Sequence, residues 1–167
     1  MKIGINVFIF FFMSCFFSYS TEINQCLLQA INAEAKNDYK MAIAHYNEAL
    51  KSNVNVEDRL QIMNNLGVLL YKLSRYDEAI NHFKKCLLDN GNDEILWNNL
   101  GLCYQKTKKY KEAIMSFSKS ISLKYEYISP YLNLSNLYFS LNLFNKAFNI
   151  SMKYLKVDPL CSEIYYG

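Results

Sequence analysis

Glycine and proline are scarce in this chain, with five and two among 167 residues. An all-β fold needs frequent turns built from such residues, so the shortage excludes it and leaves a helical chain. Charge of one sign is lacking too: eighteen Lys and Arg stand against fifteen Asp and Glu, a net of +3. Nucleic-acid binding draws its affinity from clustered positive charge, so no nucleic-acid partner is expected. There are two histidines, His45 and His82, and neither has a second His or a Cys at ligand spacing on its helix turn. No metal site is expected from them. The cysteines form no C-x-x-C pair, and no nucleophile elbow, phosphate loop or paired-carboxylate arrangement occurs. The sequence therefore reads as non-enzymatic and without a cofactor.

About half of the residues are apolar, enough for one domain-sized core. The 14 Tyr and 11 Phe fall largely at helical spacing, as packing residues do. Many recur at a fixed interval. Gly67 and Gly101 are 34 residues apart, as are Tyr76 and Tyr110, Ala79 and Ala113, Ile80 and Ile114, and Phe83 and Phe117. Another step of 34 reaches Leu134-Ser135, Phe144 and Ala147. Self-similarity at this period marks stacked helix–turn–helix units.

Met1 and Lys2 precede an uncharged run, Ile3 to Phe17, and then Ser18-Tyr19-Ser20. One positive charge, an apolar stretch and a small-x-small exit fit a secretory signal, or a retained membrane anchor, over residues 1–20. Phe12-Met13-Ser14-Cys15 also resembles a bacterial lipoprotein cleavage box, although Phe12 and the Phe16-Phe17 that follow depart from it. The expectation is an exported chain, periplasmic, secreted or in a secretory compartment, with membrane association through this segment.

Residues 21–167 read as one helical domain. The first hairpin pairs Glu22–Lys36 with Tyr39–Ser52, and the second pairs Val56–Leu73 with Tyr76–Asp89. The third pairs Asp93–Thr107 with Tyr110–Leu123, and the fourth pairs Ser129–Leu141 with Phe144–Lys156. A short helix, 159–166, follows Asp158-Pro159. The turns at Asn37-Asp38, Ser74-Arg75, Lys108-Lys109 and Asn142-Leu143 are too short for anything but antiparallel neighbours. Ala42 precedes Ala79 by 37 residues, so three extra ones sit in the Asn53–Asp58 linker or lengthen the next helix from about Val56. Asn92-Asp93 and Ser129 are the expected helix caps, the latter with Pro130 in the first turn.

Trp97, Leu100, Gly101, Tyr104, Tyr110, Ala113 and Phe117 resemble the pattern of the tetratricopeptide repeat. Met63, Leu66, Gly67, Leu70, Tyr76, Ala79 and Phe83 repeat it. Tyr131, Leu134, Tyr138, Phe144, Ala147 and Pro159 do so again, with Ser135 in place of Gly and Ser151 in place of an aromatic. The resemblance covers about residues 23–159 and implies an all-α, right-handed solenoid of about four hairpins. In that pattern Gly67, Gly101, Ala79 and Ala113 let the helices of a hairpin approach. Phe83, Phe117 and Tyr104 are expected to fill the wedge between consecutive hairpins. Cys86 and Cys103 read as core, with a Cys86–Cys103 bridge across neighbouring hairpins as the alternative.

The resemblance also implies a function: a scaffold whose first helices line a concave groove that holds a protein or peptide segment. Carried over by position, the groove residues are Gln61, Asn64, Asn65, Val68, Tyr71 and Lys72, then Asn98, Asn99, Leu102, Gln105 and Lys106, then Leu132, Asn133, Asn136 and Phe139. Asn65, Asn99 and Asn133 recur at 34 residues as a ladder of carboxamides, each with donors and an acceptor for a peptide backbone. The basic clamp that grips chaperone carboxyl ends is missing, since Asn64, Val68, Ser129 and Asn133 occupy its places. The competing reading is a self-assembling structural protein, a homo-oligomer that covers its own apolar surface. Lys106, Lys108, Lys109 and Lys111 crowd one turn as a solvated loop, with contact to an acidic membrane as the alternative. The Asn133-Leu134-Ser135 and Asn149-Ile150-Ser151 triplets fall within helices and read as chance matches to a glycosylation site.

Overall fold

The computed structural model describes residues 25–51 and 54–157, and most of its helix boundaries fall where the sequence offers a local reason. The described residues are helical with no strand among them. The helices are α1 (25–35), α2 (Tyr39–Lys51), α3 (Val56–Lys72), α4 (Tyr76–Asp89), α5 (Glu94–Lys106), α6 (Tyr110–Leu123), α7 (Ser129–Ser140) and α8 (Phe144–Val157). The leader at 1–20, the Asp158-Pro159 cap, the helix at 159–166, Cys15 and Cys161 lie outside the described residues. No helix among the described residues is long and apolar enough to cross a membrane.

The four turns within hairpins share one geometry, and it needs no glycine. Asn37, Ser74, Lys108 and Asn142 each adopt a left-handed φ near 60°. In the third turn the Lys108 N–H donates to the Gln105 carbonyl at 3.1 Å and the Lys109 N–H to the Tyr104 carbonyl at 2.9 Å. The same pair of bonds recurs at Asn37-Asp38, Ser74-Arg75 and Asn142-Leu143. This Schellman pattern satisfies the last carbonyls of the first helix and turns the chain back at once. Brevity in the sequence thus becomes an antiparallel pair.

Helix starts follow local side chains. Asp93 accepts from the N–H groups of Ile95 and Leu96, both at 2.9 Å, and caps α5 as expected. Asn55 accepts from the Asp58 N–H at 2.8 Å while its own amide donates to the Asp58 carboxylate at 2.8 Å, so α3 begins at Val56. The extra residues of the second hairpin lengthen this helix, which has 17 residues against 13 in α5. Ser129 does not cap α7. Ile128 already has helical angles, φ −68° and ψ −41°, so Ser129 is the first residue of the helix and no side chain caps it. Pro130 stands at the start, where its missing N–H leaves no bond unmade.

The chain forms two compact units, one up to Met63 and one from Asn64 onward. In the first, Ala30, Ala33, Ala42 and Ala49 are buried small residues that let α1 and α2 approach, and the Tyr46 ring is buried with them. The Tyr46 hydroxyl donates to Glu34 at 2.6 Å, and burial followed by that carboxylate raises its pKa.

The second unit holds α4 to α8 and α3 from Asn64, with α5 packed on α4 and α6, and α7 on α6 and α8. Its core repeats: Leu66, Leu100 and Leu134, then Ala79, Ala113 and Ala147, are all buried. A Cβ on Gly67 would meet the Phe83 ring at 2.6 Å, and one on Gly101 would meet the Phe117 ring at 2.6 Å. Both rings therefore lie over the glycine of their own hairpin. The expectation that they act as wedges between consecutive hairpins missed this contact, which makes glycine obligatory opposite an aromatic. Cys86 and Cys103 are fully buried free thiols rather than a bridge.

Candidate functional site

Parallel first helices within the second unit, α5 and α7 with the Asn64–Lys72 part of α3, carry most of the candidate residues. Two carboxamide pairs tie them together. Asn99 donates from Nδ2 to Oδ1 of Asn64 at 3.1 Å, and Asn133 donates from Nδ2 to Oδ1 of Asn98 at 2.9 Å. Each pair spans 35 residues, one more than the repeat, so a rung joins an Asn to the neighbour of its repeat equivalent. Of the Asn65–Asn99–Asn133 ladder expected to serve a peptide backbone, Asn99 and Asn133 thus also bond across to the neighbouring first helix. Asn98, expected along the groove, is 4% exposed and accepts from Asn133.

The rungs leave capacity for a ligand. A carboxamide offers two N–H donors and an oxygen with two lone pairs. Asn99 and Asn133 each spend one donor here and keep the oxygen, and both are half-buried. Asn65, Val68, Leu102 and Gln105 are half-buried beside them, while Lys72, Lys106, Leu132, Asn136 and Phe139 are exposed. Tyr71 sets its ring edge-on to Tyr76 at 5.5 Å between centroids, and Phe139 does the same to Phe144 at 5.4 Å. Burial first, then Tyr76, raises the Tyr71 hydroxyl pKa. Gln61 is exposed on the part of α3 in the first unit.

Reactive groups are placed for packing. Burial pushes the Cys86 thiol up to about 11 and the Cys103 thiol up to about 12, so neither is a thiolate near neutrality. His82 is lowered by burial and then by Lys85, and its Nδ1 is buried without a hydrogen-bond partner. His45 lines a cavity of about 340 Å³ in the first unit with Gln29, Asp38 and Met41. Among the described residues no group of three or more His, Cys, Asp or Glu could hold a metal ion.

A second cavity, about 490 Å³ between α4, α5 and α6, was not anticipated. Leu87, Leu88, Trp97, Leu100, Tyr104 and Met115 line it, with Lys84 and Glu112 as its charged members. Leu88 and Met115 supplied the signal, as large apolar residues at helix positions that the repeat pattern does not fill; both are exposed.

Sequence models of the tetratricopeptide repeat match residues 26–87, 95–124 and 128–159. No curated protein matches. Several solved structures do. MamA from Desulfovibrio magneticus aligns with a TM-score of 0.73 at 18% identity, over 82% of this chain and 76% of that one. A tetratricopeptide repeat protein from Parabacteroides merdae aligns with a TM-score of 0.75 at 15% identity, over 83% of this chain and 54% of that one. PilF from Pseudomonas aeruginosa aligns with a TM-score of 0.70 at 24% identity, over 81% of this chain and 60% of that one. At such identities the likeness is one of fold.

Proposed function

We propose, since this chain belongs to the tetratricopeptide repeat family, that it is a non-enzymatic scaffold that docks a partner protein segment on the face of α5 and α7. The observation that carries the reading is the pair of carboxamide rungs. Each joins two neighbouring first helices through the Nδ2 of a half-buried Asn and leaves that residue's Oδ1 out of the bond. Backbone N–H groups of an extended segment suit those acceptors whatever its side chains. Leu132 and Phe139, both exposed, would receive apolar side chains of the segment, and Lys106 and Asn136 its polar ones.

The leader-like stretch from Ile3 to Phe17, ahead of Ser18-Tyr19-Ser20, supports a scaffold that is exported or held at a membrane. Cell fractionation with amino-terminal sequencing tests that part: a mature chain starting at Thr21 supports cleavage and export.

Site-directed photo-crosslinking tests the docking face. A crosslinker at Asn136 or Leu102 should trap a partner from native cells, while one at Lys119, an exposed residue of α6, should not. Trapping from Lys119 alone would refute the assignment.

A further inference from the structure

The fourth hairpin is chemically unlike its neighbours. From Ser129 to Val157 it contains no Asp or Glu, and its charged residues are Lys146, Lys153 and Lys156. At its turn Phe139, Phe144 and Phe148 are 65%, 55% and 64% exposed, and Leu143 is exposed between them. Phe144 and Phe148 lie four residues apart, on one face of α8.

The preceding repeat serves as an internal control. At the positions of Phe139, Leu143 and Phe144 it carries Gln105, Lys109 and Tyr110, and the turn is built in the same way. The fold therefore needs no apolar residue at positions 139 and 143, whereas 144 keeps the aromatic that recurs as half-buried Tyr110 and Tyr76 and is exposed only here. Position 148 corresponds to Ile114, which is half-buried, and two repeats back to Ile80, which is 4% exposed.

The lysine-rich turn lies along the same edge. The Asn133–Asn98 rung sets α7 parallel to α5 one repeat on, so the α5–α6 and α7–α8 turns stand side by side. That adjoining turn exposes Lys106, Lys108, Lys109 and Lys111. The carboxylates nearby are Asp77, held by Lys109 at 3.3 Å, Glu78, held by Arg75 at 2.7 Å, and Glu112.

We infer that this edge docks on an anionic membrane surface. Phe144, Phe148 and Leu143 enter the headgroup–acyl boundary while the lysines pair with anionic headgroups. Apolar insertion and basic attraction together give the stable attachment that either lacks alone. The charge favours lipid phosphate and carboxylate as the occupant, since a hairpin without a single carboxylate offers nothing to a basic partner. The inference concerns the turn edge and does not depend on segment docking between the rungs.

Vesicle co-sedimentation of the full chain tests it, with phosphatidylcholine vesicles compared with ones that also contain phosphatidylserine. The parent should bind the phosphatidylserine vesicles about tenfold or more tightly, and added salt should remove the difference. Phe144→Ser with Phe148→Ser, and separately Lys108→Gln with Lys111→Gln, should each abolish that difference. Equal binding of the parent to both vesicles, or full retention by both variants, overturns the inference. Should the serine variant lose helicity, Phe144→Trp decides: its emission should shift to the blue on phosphatidylserine vesicles, and an unshifted spectrum overturns the inference. Recovery of the chain with an acidic protein and not with the vesicles would also overturn it.

Discussion

Ser135 and Ser151 face each other with their hydroxyl oxygens 2.8 Å apart, in the place where the two preceding hairpins set a glycine under a phenylalanine. The Ser135 hydroxyl also reaches the Ala147 carbonyl at 3.3 Å. The two departures from the repeat pattern are thus one coupled change. A Cβ at the first position is allowed because the ring is gone from the second, and the hydroxyls satisfy each other across the gap.

That coupling predicts a non-additive pair. Ser151→Phe alone drives a ring against the Ser135 side chain and should cost about 1–3 kcal/mol. Ser135→Gly combined with Ser151→Phe should recover most of the loss. Denaturant melts of the single and double variants measure the cycle, and additive costs would contradict it.

Lys108 holds a left-handed φ of 60°, which strains an L-residue and suits glycine. Lys108→Gly should stabilise the chain by about 0.5–1 kcal/mol once the larger entropy lost by glycine on folding is counted. Asn142→Gly should gain less, because Asn tolerates that region. Midpoints in urea check both.

Asp93→Ala removes the side chain that satisfies the Ile95 and Leu96 N–H groups at the start of α5. The expected cost is about 1 kcal/mol, read from the same urea midpoints.

Cys86 and Cys103 should resist alkylation in the folded chain at pH 8 and react only as it unfolds, whereas half-exposed Cys26 reacts at once. Timed labelling with mass measurement reads the order. Their folded pKa values of about 11 and 12 lie above the ordinary 9. The unfolded thiols therefore lose protons first, and their contribution to stability is whole below pH 9 and declines as pH climbs toward 11 and 12.

The hairpins were legible in the sequence because close approach dictates residue type. Gly67 and Gly101 lie under rings, Ala79 and Ala113 are buried at the facing helix, and all four recur at one interval. Turn length was legible for the same kind of reason, as two residues cannot make a wider connection. The rungs were not. A step of 34 aligns Asn99 with Asn133, but the hydrogen bonds join residues 35 apart, and that offset depends on how neighbouring helices slide along each other. The start of α7 was hidden likewise, because Ile128 already has helical angles and no side chain caps the helix. The apolar fourth turn was written plainly in Phe139, Leu143, Phe144 and Phe148, yet only exposure in the fold separates such residues from core.

Amide hydrogen exchange with and without a crosslink-identified partner tests the docking account most directly. Exchange should slow at residues 98–105 and 132–139, on α5 and α7. Slowed exchange confined to α4 and α6, with α5 and α7 unchanged, would contradict it.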